Sequence, residues 1–245
     1  MSHRVNIRSR IAARRESRRR RTRKGLVIWV SVAAVVIAGI LISVSIWARS
    51  PERTTLDYDR YEESIERNGA ITLVVGNPDA PVILTDYSDF GCSHCADLSR
   101  TITRIITEYV AEQKVKLAFK PISFVAPPYS DAAAAAAICA AEQGRFLEMH
   151  DELWEIHDGA AGLRGFTETN LISRAQAMGL DVSTFTACMQ SPDTKMALDE
   201  VEQEALSRGI NGTPAMFVND QQVLYRGADL VYGDLVAAIE AALGG

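Results

Sequence analysis

Residues 25–48 contain no ionisable side chain, and this stretch constrains the chain more than any other. Its polar side chains are Ser31, Ser43 and Ser45. As a helix rising ~1.5 Å per residue it would be about 36 Å long, enough to cross a hydrocarbon core of roughly 30 Å. The alternative is a cleaved signal peptide, but its apolar part usually runs about 7–15 residues before a small-x-small site. We therefore expect one N-terminal transmembrane helix.

The segment before this stretch is strongly basic, and the segment after it is acidic. The total is -5, yet residues 1–24 hold eleven Arg or Lys and one Glu, a formal charge of +10, which leaves -15 for the remainder. Basic flanks stay on the cytoplasmic side of a membrane span. We expect residues 1–24 to be a cytoplasmic tail and everything after residue 48 to lie outside the cytoplasm. Nucleic-acid binding is the alternative for the tail, but its position beside an apolar span explains it without that partner.

The exported part reads as a spacer followed by one folded domain. Residues 49–68 are charged and poor in aliphatics, which is typical of a polar linker, helical after Leu56. In residues 69–245 we predict strands, a helix, a block of helices over about 128–208, and finally a hairpin and a helix. This order indicates an α/β fold with a helical insertion. The predicted strands cover 71–75, 82–87, 115–124, 215–218 and 222–225.

A CxxC motif lies between a predicted strand and a predicted helix. It reads Cys92-Ser93-His94-Cys95, so the first sulfur would lie at a helix N-terminus and the second about one turn later. Unpaired N–H groups and the helix dipole stabilise a thiolate there, and His94 adds a donor or a positive charge. Such a pair is a strong oxidant, because its reduced form is stabilised. The spacing also permits a disulfide within the motif.

Half of a zinc site has the same spacing, but further ligands are hard to find. Cys139 and Cys188 are far apart, and neither belongs to a second CxxC. His150 and His157 lie at helical spacing with Trp154, which favours packing over ligation. We expect neither a metal site nor a bound cofactor.

Four segments, in this order and at these distances, resemble the DsbA-like thiol:disulfide oxidoreductases of the thioredoxin superfamily. The resemblance covers residues 70–243 and implies a thioredoxin-like fold with an inserted helical subdomain. Ser93 stands where many members have Pro. The segments are GNPDAP at 76–81, DYSDFGCSHC at 86–95, AEQGRF at 141–146 and GINGTPAMFVN at 209–219.

The resemblance implies roles for five residues. Cys92 would be the exposed nucleophile and Cys95 the buried resolving cysteine. Thr213-Pro214 would be a cis-proline loop whose backbone pairs with an extended substrate. Asp86 would exchange a proton with Cys95, its alternative being a strand-end aspartate that reaches solvent. Asp89 reads as a turn or cap residue.

Cys139 and Cys188 fall within the predicted helical insertion. In an oxidising compartment we expect them to form a structural disulfide, the pairing that leaves the CxxC motif intact. The alternatives are two buried free thiols or a second redox relay.

The expected function is a membrane-anchored oxidase that introduces disulfides into reduced exported proteins. The resemblance implies recharging by a quinone-linked membrane oxidase of the DsbB or VKOR type. The expected location is the cell membrane, with a periplasmic or extracellular catalytic domain. The alternatives are a reductase or isomerase on the same scaffold, and a non-catalytic holdase or copper-delivery module.

Overall fold

The computed structural model describes residues 56–244, which contain a six-stranded mixed sheet of order β1-β2-β4-β3-β5-β6. The strands are β1 Glu63–Glu66, β2 Thr72–Val75, β3 Val82–Ser88, β4 Val115–Pro121, β5 Ala215–Val218 and β6 Gln221–Val223. The helices are α1 Ser93–Ile105, α2 Tyr129–Ala141, α3 Phe146–Asp158, α4 Glu168–Ala177, α5 Val182–Met189, α6 Pro192–Ser207 and α7 Ala228–Leu243.

The centre of the sheet carries the beginning of the site. β3 runs parallel to β4, joined to it through α1, and antiparallel to β5. Asp86 on β3 lies opposite Phe119 on β4 and Met216 on β5. Asp86 is a residue of the central strand and is only 1% exposed.

The helix after the CxxC motif buries the face that its spacing predicts. Leu98, Ile102 and Ile105 are almost completely buried, and the helix continues into a π-helical turn over Ile106–Val110. α7 packs against α1. Tyr232 of α7 contacts Arg104 and Glu108 near the C-terminal end of α1, and the two cysteines lie at its other end.

Five helices, α2 to α6, occupy residues 129–207. α2 begins at Tyr129, after Pro128, with Asp131 in its first turn and no side-chain cap. α6 begins at Pro192, and the Ser191 side chain caps it by accepting the backbone N–H of Asp193 at 3.1 Å.

The predicted polar linker over 49–68 is wrong for its second half. Leu56 is only 7% exposed, and β1 pairs antiparallel with β2. The expected helix after Leu56 is a single 3-10 turn at Tyr58–Arg60, followed by that strand. The carboxylate of Glu63 accepts the N–H groups of Phe146 and Leu147 at the start of α3, so a charged residue here acts as a helix cap.

The structure confirms the predicted pairing of Cys139 with Cys188, whose Cα atoms are 5.7 Å apart. The bridge joins α2 to α5 within the helical block. The predicted tail over 1–24 and membrane span over 25–48 lie outside the described residues. Within 56–244, no helix is both long and apolar enough to cross a bilayer.

Candidate active site

A tight turn after β3 delivers the first cysteine to the start of α1. The N–H of Cys92 donates to the carbonyl oxygen of Asp89 at 2.9 Å, and Cys92 is the N-cap of the helix. Gly91 occupies the turn because a side chain would collide there: a Cβ atom would lie 2.4 Å from the Ser130 Oγ. The CxxC motif therefore sits where the strand ends and the helix begins, as predicted.

The two cysteines are free thiols in different surroundings. Cys92 is 7% exposed and Cys95 is 1% exposed. The prediction of an exposed first cysteine is therefore wrong, although Cys92 is the more exposed of the two. The reason is the Thr213-Pro214 loop, since Cys92 Sγ donates to the carbonyl oxygen of Thr213 at 3.5 Å.

The surroundings separate the acidities of the two thiols. A hydrogen bond from Cys95, together with the Thr213 hydroxyl and the N–H groups of His94 and Cys95, outweighs burial and lowers the pKa of Cys92 to about 5. Burial raises the pKa of Cys95 well above that of a free thiol, and the nearby Cys92 and Asp86 raise it further. At neutral pH, Cys92 is therefore the thiolate and Cys95 the thiol.

Asp86 lies behind the pair, away from solvent. Burial raises the pKa of this carboxyl to about 7, although the Ser88 hydroxyl, which donates to it at 3.1 Å, favours the charged form. The alternative of a strand-end aspartate reaching water is wrong, because Asp86 is only 1% exposed. A carboxyl that titrates near neutrality beside a protonated thiol can exchange a proton with it.

Ser93 and His94 are both exposed, at the start of α1. The His94 imidazole packs on the Tyr225 ring with 5.5 Å between centroids, while its backbone N–H faces the Cys92 sulfur. The sequence carries no pattern that singles out Tyr225, because the contact joins α1 to the segment after β6.

The predicted cis peptide bond at Thr213-Pro214 is present, and a second lies at Pro127-Pro128. The Thr213 hydroxyl is buried and has no hydrogen-bond partner of ordinary geometry within residues 56–244. It lies close enough to the Cys92 sulfur to lower the pKa of that thiol.

Asp89 does more than the turn role that the sequence indicated. Its carboxylate accepts the N–H of Gly91 at 2.6 Å, the N–H of Val125 at 2.7 Å and the hydroxyl of Ser130 at 2.6 Å. Burial raises the pKa of this carboxyl, against the effect of those three donors. An aspartate three residues before Cys92 indicated a turn, but not the link to the loop after β4.

His150 and Trp154 form part of an aromatic cluster behind the motif, as the packing interpretation predicted. Trp154 donates its indole N–H to His150 Nε2 at 2.9 Å, so the imidazole proton lies on Nδ1, which faces Asp151 at 3.1 Å. Phe90 packs on Trp154 with 4.8 Å between ring centroids. In the part of the chain that the structure describes, no three His, Cys, Asp or Glu side chains converge as a metal site would require.

A thiolate at a helix N-terminus, a buried thiol one turn later and an adjoining cis-proline loop together form a dithiol site with the chemistry that thiol–disulfide exchange requires. The chain belongs to the thioredoxin family, because the family model described as Thioredoxin matches residues 70–241.

Two kinds of curated relative resemble the chain. One is a Na(+)/H(+) antiporter, NhaA 1 of Mycobacterium sp. strain KMS, 28% identical over 214 residues, which are 86% of this chain and 33% of that protein. The chain thus spans about a third of the length of that antiporter. The other is a probable disulfide bond formation protein D of Bacillus cereus, 29% identical over 150 residues, 59% of this chain and 68% of that protein.

Solved structures share the fold. Oxidised BdbD of Bacillus subtilis has a TM-score of 0.61 at 22% identity, covering 70% of this chain and 92% of BdbD. A thioredoxin-like oxidoreductase of Silicibacter pomeroyi has a TM-score of 0.58 at 25% identity, covering 71% of this chain and 93% of that protein.

Proposed function

We propose that the protein is a membrane-anchored oxidase that introduces disulfide bonds into exported proteins through the Cys92–Cys95 pair. The observation that carries this proposal is the contrast between the thiols: the pKa of Cys92 is lowered to about 5 and that of Cys95 is raised. A stabilised Cys92 thiolate favours the reduced pair, so the oxidised pair readily accepts electrons from other thiols. The names of the Bacillus relatives, a disulfide bond formation protein and BdbD, agree with this role.

The reaction takes two exchanges. A substrate thiolate attacks Cys92 Sγ of the oxidised pair, the Cys92–Cys95 bond breaks, and Cys95 leaves with the electron pair and takes up a proton. A second substrate thiolate then attacks the substrate sulfur of the mixed disulfide, and Cys92 leaves as a thiolate. The substrate loses two electrons and two protons, and the pair becomes a dithiol. The low pKa of Cys92 makes it a good leaving group in the second exchange.

Asp86 supplies the proton that Cys95 needs when it leaves. The carboxyl is buried, and the pKa of this acid, about 7, allows it to hold a proton at neutral pH. Its ionised form would raise the pKa of Cys95, so transfer from Asp86 to the departing sulfur is favoured electrostatically.

The Thr213-Pro214 loop is the proposed substrate-binding backbone. The carbonyl oxygen of Thr213 already accepts the Cys92 thiol, so a substrate that forms the mixed disulfide arrives beside this oxygen. An extended substrate segment can pair with this backbone as an added strand.

The proposed location depends on the N-terminal sequence. Residues 25–48 would anchor the chain, with the basic tail cytoplasmic and the catalytic domain on the oxidising side. The reduced pair would then pass its electrons to a quinone-linked membrane oxidase of the DsbB or VKOR type. Protease protection of the tail in intact cells tests this orientation: digestion of the tail from outside contradicts it.

A glutathione redox titration of the Cys92–Cys95 pair is the deciding experiment. A midpoint near about -120 mV supports the oxidase, whereas a midpoint near about -270 mV would identify a reductase on the same scaffold. The purified protein should also form disulfides in a reduced model substrate. If the Cys92–Cys95 pair titrates with glutathione but no substrate disulfide forms, the thiols have a non-catalytic use.

A further inference from the structure

His150 is a buried titratable residue that the proposed reaction does not use. It is 1% exposed, and its ring packs edge-on against three phenylalanine rings, with centroid distances of 5.9 Å to Phe90, 5.5 Å to Phe119 and 5.7 Å to Phe146. Phe119 is the register partner of Asp86 on the neighbouring strand, so these two side chains project from the same face of the sheet. The imidazole therefore lies behind the dithiol site, on the face that carries its buried acid.

Both ring nitrogens of His150 have a partner. Trp154 donates its indole N–H to Nε2 at 2.9 Å, and Nδ1 lies 3.1 Å from Oδ1 of Asp151. The hydroxyl of Tyr58 donates to the other oxygen of Asp151 at 2.9 Å. An indole nitrogen can only donate, so a proton on Nε2 would set two N–H groups against each other. The geometry therefore holds the imidazole neutral, with its proton on Nδ1.

The charge of this ring matters to Asp86. A positively charged imidazole would lower the pKa of the Asp86 carboxyl. The acids that face the ring are Asp151 on its own helix and Asp86 on β3, and Asp86 in turn raises the pKa of Cys95 on α1. The three phenylalanine rings do not titrate. If the ring were charged, the carboxyl would be ionised at neutral pH and would have no proton for the departing Cys95.

We propose that Trp154 is a positioning residue for thiol–disulfide exchange: its hydrogen bond to Nε2 keeps His150 neutral and so leaves a proton on Asp86 for Cys95. The inference rests on the proposed function, in which Cys95 leaves with the electron pair of the disulfide bond. The proton of Asp86 then moves to the Cys95 sulfur, and Asp86 becomes a carboxylate. Trp154 acts through His150 rather than on the sulfurs.

The variant Trp154→Phe tests the hydrogen bond. It keeps an aromatic ring where Trp154 packs on Phe90, with 4.8 Å between ring centroids, but it removes the N–H, so Nε2 is free to take a proton. Carbon-13 NMR of the Asp86 carboxyl should then show a titration midpoint at lower pH than in wild type, where the pKa is about 7. A merely structural role of Trp154 would lower the melting temperature and leave this midpoint unchanged.

The same variant should change the pH dependence of peptide oxidation. The variant rate is divided by the wild-type rate at each pH, so ionisation of the reduced peptide affects both equally. This ratio should be near one at about pH 5, where Asp86 is protonated in both proteins, and roughly fivefold lower at about pH 7. A merely structural defect would lower the ratio at every pH.

Two further variants separate the charge of the ring from its packing. The double variant Trp154→Phe, His150→Leu lacks the imidazole, so the Asp86 midpoint should return at least to the wild-type value. Phe146→Leu is the matched control, because it removes a ring that packs on the imidazole and leaves the Trp154 bond in place. Its Asp86 midpoint should equal that of wild type.

Nitrogen-15 NMR of wild-type His150 tests the proposal without any substitution. At about pH 7, Nδ1 should be protonated and Nε2 unprotonated, and a proton on Nε2 overturns the proposal. An unchanged Asp86 midpoint in Trp154→Phe, or a lowered midpoint that persists in the double variant, also overturns it. A wild-type protein that oxidises no peptide contradicts the proposed function instead, and the carboxyl titrations then still decide whether Trp154 controls Asp86.

Discussion

In its protonated form the thiol of Cys92 donates a hydrogen bond to the backbone carbonyl of Thr213, with 3.5 Å between Sγ and oxygen. The two residues are 121 positions apart in the chain, and the contact joins the start of α1 to the loop before β5. The nucleophile and the backbone that would receive a substrate are therefore a single unit.

Replacing Thr213 with Val should raise the pKa of Cys92, because the hydroxyl that helps to lower it is removed. The same change should lower the stability of the reduced protein at neutral pH, because the folded Cys92 thiolate loses a donor that stabilises it. Thiolate absorbance against pH and urea unfolding measure the two effects. Thr213→Ser keeps the hydroxyl and should retain the wild-type titration; an unchanged titration in Thr213→Val contradicts the assignment.

Replacing Cys92 with Ser should abolish disulfide formation, because no sulfur remains for the substrate to attack. In a Cys95→Ser variant the Cys92 thiolate should attack a disulfide-bonded substrate, one substrate sulfur leaving as a thiolate, and the resulting mixed disulfide should accumulate because the resolving thiol is missing. Non-reducing mass spectrometry distinguishes the two variants. A trapped adduct in Cys92→Ser would reverse the roles assigned to the thiols.

Asp86→Asn should stabilise the protein in a pH-dependent way. The pKa of Asp86 is about 7 in the folded chain and 3.8 as its ordinary value, so ionisation favours unfolding as the pH rises between them. The variant should match wild type near about pH 4 and gain up to about 4 kcal/mol near about pH 8. Urea unfolding at both pH values measures this, and a gain that does not depend on pH would contradict it. The variant should also oxidise substrates more slowly, because the proton for Cys95 is lost.

Glu63→Ala should destabilise the domain by about 1–2 kcal/mol, because two N–H groups at the start of α3 lose their acceptor. Thermal unfolding measures the loss. Glu62→Ala is the matched control, since Glu62 precedes β1 and is exposed. Equal effects of the two substitutions would show that Glu63 is not a helix cap.

Removing the Cys139–Cys188 bridge by double alanine substitution should cost up to about 4 kcal/mol, the chain-entropy value for a loop of about 50 residues. The midpoint of the Cys92–Cys95 pair should not change, because the bridge is structural. A shifted midpoint with unchanged stability would instead identify a second redox relay.

The elements that carry the chemistry could be predicted because their signals are local. β3 is a run of apolar residues, α1 shows apolar residues at helical spacing, and Cys92 stands between them. The prediction of a polar linker was wrong because its structure depends on a contact with another segment. Residues 63–66 include two glutamates and form a strand by pairing with β2. Glu63 reads as a solvated charge in sequence and becomes a cap only when α3 lies beside it.

By itself the sequence determined the order of the elements, the CxxC motif at a helix start and, through resemblance, the partner cysteines and the cis proline. Spacing and turn chemistry are properties of neighbouring residues. Only the tertiary structure decided that Cys92 is nearly buried, that His94 acts through its backbone, and that Asp89 ties the thiol turn to residues 125–130. These depend on which distant segments exclude water from a group and which donors then face it, and no local pattern records that.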